Sequence, residues 1–200
     1  MIEELEKNGI LHLTQQTESQ LADLLQQLGT VIMTTDVIVK PEGRGMVTTA
    51  LGLDFHTDHH KAKYIVWYCH KQTDKGGESI LLDAKAVYES LPIDQQKELT
   101  TIELFEHKVF DDDLESYPFV KVDENGAKKF YYSFWLVKED DKYKSAMLAF
   151  QKGLRTTQHQ QLRLEDNDVL IIDNHRIFHG RRPIEGSKDR FLKRYWLTQK

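Results

Sequence analysis

The strongest constraint on this chain is a pair of polar stretches, far apart in sequence, that only a folded core can bring together. One is Phe55-His56-Thr57-Asp58; the other runs Asp173-Asn174-His175-Arg176-Ile177-Phe178-His179-Gly180-Arg181. His56 and Asp58 stand two residues apart, so on a strand both side chains leave the same face. With a distant histidine, for which His179 is the candidate, they make two imidazoles and one carboxylate. That ligand set suits Fe(II) and leaves coordination positions open. Arg190 follows across a turn-like stretch. A buried guanidinium there would grip the far end of a dicarboxylate in two-point fashion.

The text around these stretches is mostly strand-like. Val31-Ile32-Met33 and Val37-Ile38-Val39 read as two strands, Met46 to Phe55 as one or two more, and Lys40 to Gly45 as a loop between them. Tyr64 to Cys69 is a nearly continuous apolar run, the mark of a strand buried on both faces. Asp74 to Gly77 turns the chain into the strand Ser79–Leu82. Further strands are expected at Phe105–Phe110, Gln161–Leu164, Val169–Asp173 and Phe191–Leu197. Val120–Asp123 and Lys129–Phe134 flank Asn125-Gly126 as a hairpin would. Helical periodicity is confined to a few places. A first helix is capped by Ser19, carries Leu21, Leu24, Leu25 and Leu28 as a stripe, and stops at Gly29. Ala84–Leu91 and Ile93–Leu99 form two more, broken at Pro92, and Tyr143–Arg155 a fourth. Asp111-Asp112-Asp113 and Lys138–Lys142 read as solvated surface. The expected class is mainly β with helical insertions, in a two-sheet jelly roll whose mouth suits a metal and a ligand.

Two hundred residues fit one domain over 1–200, without repeats or linkers. Lys and Arg number 27 against 32 Asp and Glu, which argues against a nucleic-acid binder that relies on an overall positive field. Cys69 is the single cysteine, so no internal disulfide can form and a reducing compartment is expected. The first residues lack a signal-peptide core, and no apolar run approaches the ~20 residues that span a bilayer. The expectation is a soluble, cytoplasmic protein. Nothing specifies an oligomeric state.

Four pieces occur together and in order: His56-Thr57-Asp58, Gly76-Gly77-Glu78-Ser79, Asp173-Asn174 through His179-Gly180-Arg181, and Asp189-Arg190 through Arg194. In this the chain resembles the taurine dioxygenase, clavaminate synthase and γ-butyrobetaine hydroxylase group of Fe(II)/2-oxoglutarate oxygenases. The likeness runs from about Gly29 to Leu197. It implies a double-stranded β-helix fold, with Fe(II), 2-oxoglutarate as cosubstrate and O2 as the reacting partners. It implies His56, Asp58 and His179 as the metal ligands. Arg190 and the hydroxyl of Ser79 would hold the far carboxylate of 2-oxoglutarate, although the loop from Pro183 to Lys188 is shorter than the family's often is. Asp58 itself is informative, since related halogenases carry a small residue there, so an oxidative outcome such as hydroxylation is expected.

Arg194 lies four residues past Arg190, on the same face of a strand. By resemblance it is a candidate to hold an anionic group of the substrate, with an internal ion pair as the competing role. His59, together with His60, Tyr131 and Trp135, is a further candidate for the substrate wall. Arg176 and Arg181 are expected to brace the loop through carboxylates, and His12, His70, His107 and His159 carry no assignment. The chain is short for the group, which favours a small anionic or zwitterionic, amino-acid-like substrate, hydroxylated with release of succinate and CO2. Desaturation, epoxidation or cyclisation by the same iron centre stays open. So do a cupin-like metalloenzyme without 2-oxoglutarate, against which Arg190 argues, and a non-catalytic binding protein, against which the intact triad argues.

Overall fold

Val- and Ile-rich runs of five to eight residues are too short for core helices and pack well on a pleated surface. In the computed structural model, which describes residues 1–40 and 48–199, the two most apolar of them lie side by side in the middle of a sheet. The chain runs α1 (Ile2–Asn8), β1 (Ile10–Leu13), α2 (Glu18–Leu28), β2 (Gly29–Ile38), β3 (Leu53–His56), β4 (Tyr64–Lys71) and β5 (Ser79–Asp83). There follow α3 (Ala84–Ser90), α4 (Ile93–Leu99), β6 (Glu103–Leu104), β7 (Tyr117–Pro118), β8 (Val120–Val122) and β9 (Lys128–Phe130). A short 3-10 turn at Phe134–Leu136 leads to α5 (Glu139–Lys142), α6 (Ser145–Thr156), β10 (Gln160–Leu162), β11 (Val169–Asp173), β12 (Ile177–Arg181) and β13 (Phe191–Gln199).

The larger sheet has the order β1-β11-β4-β13-β2 and the smaller the order β10-β5-β12-β3, with all neighbours antiparallel. Neighbours distant in sequence are the rule: β13 sits between β2 and β4. Three apolar layers follow. Ile65, Cys69, Leu170, Ile172 and Trp196 of the larger sheet meet Leu81 and Ile177 of the smaller one. On the far side of the larger sheet, Leu5 of α1 and the Leu21, Leu24 and Leu28 stripe of α2 cover Tyr64, Val66, Ile171 and Leu197. Behind the smaller sheet, Leu82 and Phe178 are covered by the long insertion, through Val87, Phe119, Phe130, Met147 and Phe150. Each such side chain contributes roughly 1.5–3 kcal/mol of transfer free energy when fully buried.

Several expectations change in detail. Helix α2 is capped by Thr17, not Ser19: Thr17 Oγ1 accepts the Gln20 N–H while the Gln20 side chain accepts the Thr17 N–H. The two strands expected across 31–39 are one continuous β2, because β13 pairs with it from Gly29 to Ile38. Of the segment Met46–Phe55, only Leu53 onward is strand, and positions 41–47, including most of the expected loop, lie outside the described residues. No strand forms at Phe105–Phe110, where the chain leaves β6 as an irregular loop. Asp113 is buried, contrary to the reading of 111–113 as solvated, and accepts from the Val109 and Phe110 N–H groups of its own loop. Lys138–Lys142 is partly α5, with Asp141 buried. The hairpin around Asn125-Gly126 forms, with Val120 opposite Phe130, but its second strand is Lys128–Phe130 and stops short of the expected Phe134.

Candidate active site

Strands β3 and β12 are direct neighbours, and His56 is the register partner of His179. A cross-strand pair places side chains about 4.5–5.5 Å apart at Cβ, and here the two imidazole rings stand 4.3 Å apart at their centroids. Gly180 makes this approach possible, since a Cβ there would come within 2.3 Å of the Leu53 carbonyl oxygen. The pairing then shifts between His179 and Arg181.

Asp58 reaches the same point by another route. Strand β3 ends at His56, so Thr57 and Asp58 lie beyond it and the expected strand parity does not apply. The loop is instead buckled by Asn174. Its Oδ1 accepts the Asp58 N–H at 2.8 Å, and its Nδ2 donates to the carbonyls of His59 and Ala62 at 3.2 and 2.9 Å. Thr57 adds a second clasp, its N–H donating to the Tyr132 carbonyl and its hydroxyl accepting the Tyr132 N–H.

One ligand atom from each of His56, Asp58 and His179 lies within 4.8 Å of the others, and all three residues are buried. Their protonation states suit a metal. Burial pushes the His56 pKa down, with Asp58 and the Asp54 carbonyl opposing. Burial likewise drives His179 well below its ordinary value, helped by His56. Burial works to raise Asp58, but Arg194, His179 and His56 outweigh it and hold the carboxyl below its usual range. His56 Nδ1–H donates to the Asp54 carbonyl at 2.8 Å, which leaves the Nε2 lone pair for a cation. Asp58 accepts from Arg194 Nη1 at 2.9 and 3.0 Å and from the Trp196 indole N–H at 3.0 Å. A carboxylate has about four lone-pair sites, so one is left for a metal. These donors fit Fe(II).

The cavity that His56 and His179 line also contains Ser79, Trp67, Arg190 and Arg194. Arg190 is 3% exposed and donates to the Gln72 side chain at 3.0 Å and the Gly77 carbonyl at 3.3 Å. Among the described residues no carboxylate forms an ion pair with it. Burial, with repulsion from Arg181, lowers its pKa to about 10, so it stays charged at neutral pH. Gly77 has φ +76°, and a Cβ there would touch the Arg190 guanidinium at 3.2 Å. The Gly76-Gly77 turn is therefore shaped around that arginine.

The remaining sequence candidates divide. Arg194 lines the cavity as strand parity requires, but its guanidinium is engaged with Asp58. His59 Nε2–H donates to Asp113 at 2.9 Å and its Nδ1 accepts the Lys61 N–H at 3.1 Å, so both ring nitrogens are used inside the protein. His60 stacks on Tyr117 at 3.8 Å. Arg176 braces β12 through Asp83 as expected, whereas Arg181 donates to the Thr49 and Leu51 carbonyls. Sequence reasoning missed Trp67, Gln72 and Trp196, which carry no motif; only their neighbours in space reveal them.

Two stacked antiparallel sheets that bury a pair of imidazoles and a carboxylate beside an uncompensated arginine define a non-haem iron oxygenase. The sequence agrees: residues 1–196 match the taurine catabolism dioxygenase TauD, TfdA family, and the chain belongs to it. It is an oxidoreductase of that family, whose members are Fe(II)/2-oxoglutarate-dependent dioxygenases. Comparison with curated proteins found no match. Among solved structures, a taurine dioxygenase from Burkholderia xenovorans is similar at 17% identity, covering 100% of this chain and 80% of that one, with a TM-score of 0.76. An asparagine oxygenase in complex with Fe(II), 3-hydroxyasparagine and succinate shows 17% identity over 98% of this chain and 77% of its own, with a TM-score of 0.74. The protein AAD-2, in complex with Mn(II) and N-oxalylglycine, is 15% identical, covers 99% and 88%, and has a TM-score of 0.76. At these identities the likeness is one of fold: mainly β, with some helices.

Proposed function

We propose that this protein hydroxylates a small anionic or zwitterionic, amino-acid-like molecule, with 2-oxoglutarate converted to succinate and CO2. His56, Asp58 and His179 are the metal ligands in this reading, and Arg190 with Ser79 holds the far carboxylate of 2-oxoglutarate. The observation that carries it is Arg190: a buried charge is costly unless paired, and this one has only amide-type acceptors. A dicarboxylate that reaches from the triad into the cavity supplies the missing anion, and a cupin-like enzyme without 2-oxoglutarate has no need of it. Bound Fe(II) supplies the oxidising chemistry with O2. The chain's own residues orient the cosubstrate, keep the imidazoles unprotonated and shield the centre from water.

The two antiparallel sheets support a double-stranded β-helix formed as one domain over 1–200. A small substrate is supported by the asparagine oxygenase, similar in fold, whose structure holds 3-hydroxyasparagine and succinate. No helix among the described residues is long and apolar enough to cross a membrane, and the single cysteine, buried Cys69, is consistent with work in the cytoplasm.

The test is anaerobic titration of the Fe(II)-loaded protein with 2-oxoglutarate, read by the metal-to-ligand visible band, followed by a panel of free amino acids. A band that forms with 2-oxoglutarate and shifts with one amino acid, followed under O2 by matched succinate and hydroxylated product, is the expected result. No band with 2-oxoglutarate would refute the reading.

A further inference from the structure

The loop that runs from β6 to β7 is held in place at a cost that packing alone does not explain. Lys108 sits at φ +54°, a left-handed conformation that a lysine adopts only when its surroundings impose it. The anchor is Asp113, which accepts from the Val109 and Phe110 N–H groups and from His59 Nε2–H, with Lys61 Nζ 3.1 Å away. Burial would raise the Asp113 carboxyl, but these donors and cations outweigh it and keep it at about 2. His59 thus ties the loop to the segment that carries Asp58.

The residue presented by this clasp is His107. Its ring lies 5.6 Å from His59 and 6.2 Å from Trp135, and Trp135 in turn lies 5.4 Å from His56. Asp58, His56 and Arg194 all act on its charge through space. His107 therefore stands beside the triad, yet it is not among the residues that line the Arg190 cavity.

Its hydrogen-bonding state is set from behind. The Tyr131 hydroxyl lies 3.2 Å from His107 Nδ1. Burial pushes the Tyr131 hydroxyl well above its ordinary range, so it keeps its proton, and among the described residues His107 Nδ1 is the acceptor within its reach. Burial lowers His107 too, against the pull of Asp58 and Asp113, so the ring is neutral. A neutral imidazole whose Nδ1 accepts must carry its proton on Nε2. Among the described residues Nε2 makes no hydrogen bond, so a donor of defined tautomer is offered beside the triad.

We propose that His107 positions the primary substrate, its Nε2–H donating to a carboxylate or carbonyl oxygen, with Tyr131 fixing the tautomer. This rests on the amino-acid reading given under Proposed function. Trp135, 36% exposed, forms the aromatic wall between His107 and the iron ligands.

The test uses the Fe(II)- and 2-oxoglutarate-loaded protein without O2. It is titrated with the free amino acid that most shifts the parent's visible band, and with the amine that lacks only its carboxyl group. His107→Gln keeps an N–H donor and His107→Met, of similar size, removes it. His107→Met should weaken binding of the acid about tenfold, a typical loss for one hydrogen bond, leave the amine unchanged, and be largely rescued in His107→Gln. Tyr131→Phe, which frees the tautomer, should lose severalfold on the acid alone. Equal response to the acid in the parent and His107→Met overturns the assignment, as does equal weakening of acid and amine. If no amino acid shifts the parent's band while 2-oxoglutarate still forms it, the amino-acid reading fails and His107's role falls with it.

Discussion

Arg194 places one guanidinium nitrogen against both oxygens of Asp58, at 2.9 and 3.0 Å, so that a residue of β13 is bonded to a candidate metal ligand on the loop after β3. Both side chains are buried, and the Trp196 indole N–H completes the cradle. The pair explains how a carboxylate stays ionised in an apolar interior before any metal arrives, and it ties Arg194 to the triad whatever else it contacts.

Breaking this pair should therefore matter most in the metal-free protein. Arg194→Leu strands a buried carboxylate, a change that typically costs about 3–5 kcal/mol. For a chain of this size that is roughly 6–20 °C in Tm. A divalent cation restores a positive neighbour to Asp58, so Mn(II) should recover more stability in the variant than in the parent. Thermal unfolding of both proteins with and without Mn(II) checks this; equal gains would show that Arg194 and the metal do not share the carboxylate.

The triad itself is tested by binding. His56→Ala, Asp58→Ala and His179→Ala should each reduce Mn(II) affinity by at least about a hundredfold in calorimetry, because the ligand atoms are few and buried. Unchanged affinity in all three would remove the metal site. Asn174→Ala, which unbuckles the Asp58 loop without removing a ligand, should fall between these and the parent.

At the other end of the cavity, Arg190→Ala leaves the far carboxylate of 2-oxoglutarate unpaired, at a cost of roughly 2–5 kcal/mol. Ser79→Ala removes one hydrogen bond and should cost about 1 kcal/mol. Calorimetric titration of the Mn(II)-loaded proteins with 2-oxoglutarate or N-oxalylglycine measures both. If the arginine variant binds as tightly as the parent, the anchor lies elsewhere.

Acid should destabilise the apo protein partly through His60. Burial, aided by repulsion from His59, lowers its pKa from 6.5 to about 4. The unfolded chain then binds the proton more readily than the folded one. This contribution is whole above pH 6.5 and is lost as the pH falls from there toward 4. Allowing for partial exposure, roughly 1–2 kcal/mol disappears by pH 5. His60→Phe, which keeps the stack on Tyr117, should flatten that part of the stability profile measured by guanidinium unfolding at pH 7.5 and 5. An unaltered slope would place His60 in water.

The candidate centre was legible in the sequence because the metal and dicarboxylate sites proposed for it demand particular residue types. His56, Asp58, His179, Arg190 and the Gly76-Gly77 turn stand out with no coordinates at all. So do the main strands, since Tyr64–Cys69 and Val169–Asp173 can bury both faces in no other short element. What stayed hidden depends on partners far away in the chain. Asp113 reads as part of an acidic run and is buried only because His59, Lys61 and two backbone amides converge on it. Phe105–Phe110 has the composition of a strand, but Asp113 takes up the Val109 and Phe110 N–H groups and His59, so it is held as the loop that carries His107. Parity along β13 correctly turned Arg194 toward the cavity. That its charge is met by Asp58, and that His59 faces the loop anchor, were decided by tertiary structure, because ion pairing depends on which carboxylate packing places within about 4 Å, a distance sequence spacing does not encode.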